Sequence, residues 1–319
     1  METTQAKIGE GGSKIAGNAV ALAVAGAAGM IFTLVQLGIL SREMEPGLFG
    51  LFVVLRGFSL LLSTAVLAGL PQVLVRYFPS FQRRDERKKA IAMFSAFTAA
   101  VLLLGAAMHA ASPLWSRLIP EASREMTGGP VLAWVSLASI ALALKLLLYG
   151  AFNGRREMHL QMIFEVFYLA LMTLLIFAAR RDLGLVVLFR MIFFLNAAVF
   201  AAGFPVLIAS VRRNPAHPPE TFRGDIVTPS FASYTAYSLL LSFVALAFTD
   251  FDRFVMAAVL PFQAISLFHV ASRINSLIKR FLGFPVIALQ PEVTRIYEEG
   301  RWEELAGKIV IFTKVTFIG

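Results

Sequence analysis

Residues 185–209 read LVVLFRMIFFLNAAVFAAGFPVLIA, and runs of this kind decide the fold of the chain. The run holds one charged residue, Arg190, and is long enough for a helix that crosses about 30 Å of hydrocarbon. Because lipid offers no hydrogen-bond partners, a crossing segment must satisfy its own backbone groups, as helices and closed barrels do. A barrel would show alternating segments of about ten residues. The continuous run therefore predicts a membrane-spanning helix.

The composition of the whole chain agrees with this interpretation. It is 58% hydrophobic and 15% charged, whereas soluble proteins are about 25% charged. That is too little polar surface to coat a water-soluble body, so the sequence predicts an all-α integral membrane protein, a polytopic helical bundle. Eight further apolar runs can be marked, at 15–40, 48–75, 90–110, 130–152, 160–178, 229–260, 262–289 and from about 309.

Lys and Arg are unevenly shared among the connections between these runs. Alternate connections, counted from the N-terminal tail, hold sixteen basic residues, and the other set holds five. Basic connections stay in the cytoplasm, so we expect a cytoplasmic N-terminus. The net charge of +9 is then a property of loops beside an anionic leaflet, and we expect membrane lipids, not nucleic acid, as the partner of these loops.

A weak internal repeat links the two ends of the sequence. GLFGLFVVLR at 47–56 resembles AISLFHVASR at 264–273, and Gly69-Leu-Pro71 matches Gly283-Phe-Pro285. Six helices separate the copies, so the halves would be parallel repeats about an axis along the membrane normal. Transporters commonly place their substrate site between such halves.

The repeat divides the chain into two predicted domains. Residues 1–225 form an N-terminal six-helix lobe, and residues 226–319 form the beginning of a C-terminal lobe. The apolar run from about 309 is too short to be a complete span. We therefore expect the chain to be part of a longer protein of twelve or more helices.

Four motifs carry a resemblance to a known family. They are LSREMEPGLFGLF at 40–52, GLPQVLVRY at 69–77, TDFDRF at 249–254 and PEVTR at 291–295. Together they resemble the polysaccharide or O-antigen (Wzx-like) flippases of the MOP superfamily, which also holds MATE and MurJ-like exporters. Asp252 and Arg253 match the Asp-Arg signature of the seventh helix in that family.

The resemblance implies both an architecture and an activity. The architecture is a V-shaped pair of six-helix lobes that alternates its access between the two membrane faces. The activity is the flipping of undecaprenyl-pyrophosphate-linked oligosaccharides from the cytoplasmic to the outer leaflet of the bacterial cytoplasmic (inner) membrane, with H⁺ or Na⁺ as a coupling ion. Such a transporter serves polysaccharide or lipopolysaccharide biosynthesis.

Charged residues inside the predicted spans are the candidate functional groups. A charge at mid-bilayer costs at least about 2.5 kcal/mol, so such residues should face a wet cavity or a partner. At a rise of about 1.5 Å per residue, four groups lie roughly 12–18 Å from the outer helix ends, with Arg190 at about 13 Å. An arginine fork binds phosphate oxygens bidentately, which suits a pyrophosphate. The predicted substrate-binding residues are Arg56, Arg190, Asp252, Arg253 and Arg273.

Other in-span charges have more than one interpretation. Lys145, Lys279 and Arg280 lie nearer the cytoplasmic ends, where a long side chain either reaches the interface or lines a cavity. Asp252 and Arg253 could instead form a structural ion pair between helices. Glu165 is a candidate ion-coupling carboxylate.

Signals for other function classes are weak. The chain has no cysteine, and its four histidines lack metal-ligand spacing, so we expect no metal site and no cofactor. No Gly-rich phosphate loop or nucleophile elbow is present in the sequence, and we expect a transporter that is not an enzyme. The alternatives are a MATE-like multidrug or cation antiporter and a membrane enzyme acting on lipid-linked glycans.

Overall fold

The computed structural model describes residues 24–78, 87–115, 121–155, 157–213, 229–275, 306, 307 and 310. The chain forms two compact units, residues 31–269 and residues 1–30 together with 270–319. The second copy of the Gly-x-Pro motif, Lys279, Arg280 and most of the run from about 309 lie outside the described residues. The predicted lobe boundary at 225 also lies outside them and stays a prediction.

The described residues form ten α-helices and one short 3₁₀ turn at Arg180–Asp182. The helices are α1 (Val24–Glu43), α2 (Pro46–Leu67), α3 (Leu70–Tyr77), α4 (Arg87–Ala110), α5 (Ser112–Trp115), α6 (Glu121–Gly154), α7 (Met158–Ala178), α8 (Leu185–Arg213), α9 (Pro229–Val259) and α10, which begins at 262 and is described to 275.

Six of these helices are long and apolar enough to cross a membrane: α1, α2, α4, α6 from Gly128 onwards, α7 and α8. Outward-facing side chains on several of them are large and apolar, such as Leu103 on α4 and Phe167 on α7. Faces of this kind are well solvated by lipid and poorly by water. The chain is a multi-pass helical membrane protein, and the predicted all-α fold class is confirmed.

The predicted run 48–75 is two helices, because the chain turns sharply at Ala68 and Gly69. Both residues have left-handed backbone angles, with φ of 47° and 77°. A Cβ added at Gly69 would lie 2.8 Å from the backbone nitrogen of Leu239, so the turn needs glycine for both its angle and its contact with α9. Pro71 then opens α3, where its missing N–H costs nothing.

The span within α6 is the central helix of the larger unit, and it contacts α2, α3, α4, α7 and α8. At one end of the unit α4, α6 and α8 are tied together by arginines: Arg87 donates a hydrogen bond to the carbonyl of Arg212 (2.6 Å), and Arg155 donates to the hydroxyl of Ser210 (2.9 Å). We name this end the basic end, and the opposite end, where α2 and α8 begin, the far end.

Candidate functional site

Arg56 is exposed on a helix that is otherwise covered. Every other position between residues 47 and 67 is buried or half-buried. Arg56 lies ten residues after Pro46, the first residue of α2, about 15 Å along the axis. Among the described residues its side chain has no hydrogen-bond or ion-pair partner. A guanidinium at this depth is tolerated where water or an anion reaches it.

Arg190 lies in an aromatic environment near the far end. Its guanidinium carbon is 5.0 Å from the ring centroid of Trp134, which also contacts Phe193 and Phe194. Arg190 is five residues after Leu185, the start of α8, so it lies about 7 Å in and not the 13 Å expected from the sequence. This is the depth of an interfacial aromatic belt.

The Asp252–Arg253 pair lies on the stretch of α9 that packs beside Arg56. A Cβ added at Gly57 would lie 3.4 Å from the ring of Phe254, so α2 and α9 meet at this level. Asp252 is exposed, and its carboxylate accepts a hydrogen bond from the backbone N–H of Arg253 (2.8 Å). The α2–α9 contact therefore lies at the level of Arg56 and Arg253, the chain neighbours of Gly57 and Phe254.

The remaining predicted cation, Arg273, is half-buried and belongs to the smaller unit. Its position relative to the other arginines stays a prediction. One turn earlier on α10, His269 is buried in the larger unit and packs edge-on against Phe49, with ring centroids 6.0 Å apart.

Glu165 forms a buried ion pair that the sequence did not predict. Its Oε2 atom lies 3.0 Å from the Nζ of Lys145 and accepts a second hydrogen bond from the hydroxyl of Tyr149, at 2.9 Å. The Lys145 side chain is 6% exposed and that of Glu165 is 35% exposed. The pair therefore joins α6 to α7 with its cation inside the bundle and its carboxylate partly open.

Aromatic rings complete the surroundings of Lys145. Its Nζ lies 3.9 Å from the ring centroid of Tyr168 and 5.4 Å from that of Tyr149. A cation over an aromatic face is attracted by the ring quadrupole, most strongly when it is desolvated. Of the two interpretations left open for Lys145, the side chain does not reach the interface; it is held inside the bundle.

Tyr149 also lines a cleft of about 320 Å³ at the basic end of the larger unit, in which hydrogen-bonding side chains are set in a mostly apolar lining. The walls come from the end of α2, from α3, from the last turns of α6, from the start of α7 and from α9. Its polar lining residues are Thr64, Gln72, Tyr149, Asn153, Gln161 and Ser242. All six are uncharged hydrogen-bonding side chains, and the other lining residues are apolar or glycine.

The sequence does contain a signal for the pairing of Lys145 with Glu165, although the signal is recognised only once the structure is known. Lys145 lies nine residues before Gly154, and Glu165 lies seven residues after Met158. Helices joined by a tight connection run antiparallel, so residues at similar distances from the turn share a depth. Comparing depths across each connection would have suggested the pair; the cleft has no comparable signal, because its lining comes from five helices.

Within the described part of the chain, no group of His, Asp and Glu side chains is arranged to hold a metal ion. The candidate functional groups are thus the exposed arginines Arg56 and Arg190, the ion pair of Lys145 with Glu165, and a cleft whose described lining is uncharged. Comparison with known proteins gives no match, since no family model, no curated protein and no solved structure is similar to this chain.

Proposed function

We propose that this protein is a transporter that flips undecaprenyl-pyrophosphate-linked oligosaccharides from the cytoplasmic to the outer leaflet of a bacterial inner membrane, by alternating access. The observation that carries the proposal is Arg56, an exposed arginine about 15 Å inside the most covered span. Facing lipid, such a charge would cost at least about 2.5 kcal/mol. Facing a wet path, it is a binding group for an anionic cargo.

The chemistry of the cargo fits the distribution of charge. A pyrophosphate needs cationic forks, and in this proposal Arg56 and Arg253 supply them from α2 and α9. The glycan needs many neutral hydrogen-bonding groups, which a membrane protein has little other reason to expose. In this proposal the basic end faces the cytoplasm, the N-terminus is cytoplasmic, and the lipid-linked glycan enters from that side.

Coupling to an ion gradient is assigned to Glu165 in the same proposal. Its carboxylate is partly exposed and already holds Lys145 and Tyr149. Binding of H⁺ or Na⁺ at this carboxylate would weaken its attraction for the buried ammonium, and thereby couple the ion to the packing of α6 against α7.

The test is charge reversal of Arg56 in the full-length protein. Surface glycan would be quantified in a strain that lacks its own copy and is complemented with wild type, Arg56→Glu or Arg56→Lys. We expect Arg56→Glu to reduce display at least tenfold and Arg56→Lys to retain most of it. Arg42→Glu is the matched control, because Arg42 is also exposed but lies at the end of α1 outside the apolar core.

Undiminished display with Arg56→Glu at normal protein levels would contradict the proposal. Two further measurements on the same strains address the alternatives. Loss of resistance to lipophilic cations without loss of glycan would indicate a cation antiporter, and glycan of altered structure but normal amount would indicate an enzyme.

A further inference from the structure

We propose that the cleft at the basic end is a binding site for neutral, hydroxyl-bearing sugar units, separate from the arginines that would bind the pyrophosphate. This inference rests on the proposed function and deepens it, because it divides the cargo between two places. The volume of about 320 Å³ equals roughly ten water molecules at about 30 Å³ each. It lies at the lower end of the range for small-molecule sites.

Two side-chain amides in the cleft are available to a ligand. Asn153 is near the end of α6 and Gln161 is in the first turn of α7, and both are half-buried. Within the described residues neither amide makes a hydrogen bond. Each offers two N–H donors and a carbonyl acceptor, the combination that matches a sugar hydroxyl, which both donates and accepts.

Hydroxyl groups and a glutamine supply the opposite walls. The Thr64 hydroxyl donates to the carbonyl of Leu60 (2.9 Å), so its lone pairs remain for a ligand. Gln72 donates to the hydroxyl of Ser242 (3.2 Å), and this bond fixes α3 against α9. The cleft is therefore lined by groups already held in hydrogen bonds and by two amides that make none within the described residues.

Close backbone contact sets the shape of the cleft. A Cβ added at Gly150 would lie 2.8 Å from the Cα of Pro71, so α3 rests directly on α6. The cleft is lined by residues from both sides of the turn at Ala68 and Gly69, Thr64 before it and Gln72 after it. The helix break therefore lies in the wall of the cleft.

The charge of the lining decides which part of the cargo fits. None of the described lining residues is charged, so a phosphate placed among them would lose its hydration without gaining a cation, which is costly. A neutral sugar exchanges hydrogen bonds to water for hydrogen bonds to amides and hydroxyls. Thr64 lies eight residues beyond Arg56 on α2, about 12 Å along the axis, and an extended pyrophosphate-linked glycan can reach both places.

The test compares two probes on the purified full-length protein in detergent. One probe is undecaprenyl pyrophosphate, and the other is the same lipid carrying a single N-acetylglucosamine on its pyrophosphate. Apparent Kd values come from the dependence of Tm on probe concentration. We expect wild type to bind the sugar-bearing probe more tightly than the bare one.

The variants are Asn153→Leu, Gln161→Leu and the double variant, each chosen because it removes hydrogen-bonding groups while keeping side-chain volume. We expect the double variant to bind the sugar-bearing probe about tenfold more weakly, as for two lost hydrogen bonds, and to bind the bare probe as wild type does. Gln263→Leu is the control, since Gln263 is exposed and lies outside the cleft. Gln161→Leu alone serves if substitution of Asn153 prevents folding.

Each other outcome overturns a stated part of the argument. Equal affinity of wild type for the two probes, or equal losses for both probes in the variants, would refute the sugar site and leave the flippase proposal intact. Binding of neither probe by folded wild type would refute the proposed function, and the sugar site with it.

Discussion

Lys145 and Arg56 are both cations inside membrane-spanning helices, and the structure treats them in opposite ways. Lys145 is inside the bundle, 3.0 Å from Glu165 and close to the face of Tyr168. Arg56 is exposed, and among the described residues it has no hydrogen-bond or ion-pair partner. A charge enclosed with its counter-charge holds two helices together. An arginine exposed at a comparable depth needs water or an anion as its partner.

The largest expected effect concerns the ion pair of Lys145 with Glu165. Replacing Glu165 with Leu leaves a buried ammonium without its partner, which should lower the free energy of unfolding by about 3 kcal/mol. Lys145→Met should cost less, because the carboxylate that remains is partly exposed. The double variant should recover most of the loss, since neither charge is then stranded. Unfolding of the purified protein in detergent, followed by circular dichroism, measures all three.

The stability of Arg56→Met would be measured in the same unfolding experiment. Because Arg56 has no hydrogen-bond or ion-pair partner among the described residues, the substitution should change the free energy of unfolding by less than about 0.5 kcal/mol, as most exposed substitutions do. The contrast would be contradicted if the losses of unfolding free energy in Lys145→Met and Glu165→Leu simply added in the double variant. It would also be contradicted if Arg56→Met caused a large loss.

A middle-sized effect concerns a close contact on α2, the helix that carries Arg56. The start of α10 packs so closely on α2 that a Cβ added at Gly50 would collide with the backbone carbonyl of Phe262. Gly50→Ala should therefore force the helices apart and cost about 2 kcal/mol, a typical value for overpacking. Gly47→Ala is the control on the same helix, since nothing lies within 4 Å of its added Cβ.

The stability of both glycine variants would be measured in the same unfolding experiment, and surface glycan would be quantified beside it. We expect Gly50→Ala, but not Gly47→Ala, to reduce glycan display as well, because Arg56 lies on the displaced helix. Equal behaviour of the two variants would indicate that α2 and the start of α10 are not in tight contact in the membrane.

The smallest effect concerns Arg190, which is exposed like Arg56 but has an aromatic partner. A double-mutant cycle with Arg190→Leu and Trp134→Leu should give a coupling energy of about 0.5–1 kcal/mol, the usual range for an exposed cation over an aromatic ring. The measurement is again unfolding in detergent. A coupling energy of zero would place Arg190 with Arg56 as an open charge available to the cargo.

The sequence predicts the spans well because lipid imposes a single demand, a long apolar helix. The predicted runs 130–152 and 160–178 correspond to the spans Gly128–Gly154 and Met158–Ala178 within two residues. The exception is 48–75, where the structure ends one helix at Leu67 and begins another at Leu70. Apolar residues continue through the break, so hydropathy does not register it; only the glycine and proline mark it.

The candidate site was less accessible to sequence reasoning. Depth along a helix can be counted, and the count for Arg56 agrees with the structure because Pro46 marks the start of its helix. The count for Arg190 was too deep although the predicted run already begins at 185, because five residues of helix rise only about 7 Å. Which face a residue occupies depends on packing between distant helices, and the Lys145–Glu165 pair and the polar cleft are both products of that packing.

Tyr149 has one hydroxyl proton, and in this structure that proton is directed at Glu165. Its oxygen can still accept, so a sugar hydroxyl bound beside it in the cleft must act as the donor. A sugar that carries an ether or a ketone at this point has no proton to donate. A lone pair of its oxygen would then face a lone pair of the Tyr149 oxygen. The cleft would in this way distinguish glycans by what each position can donate, and not only by their size.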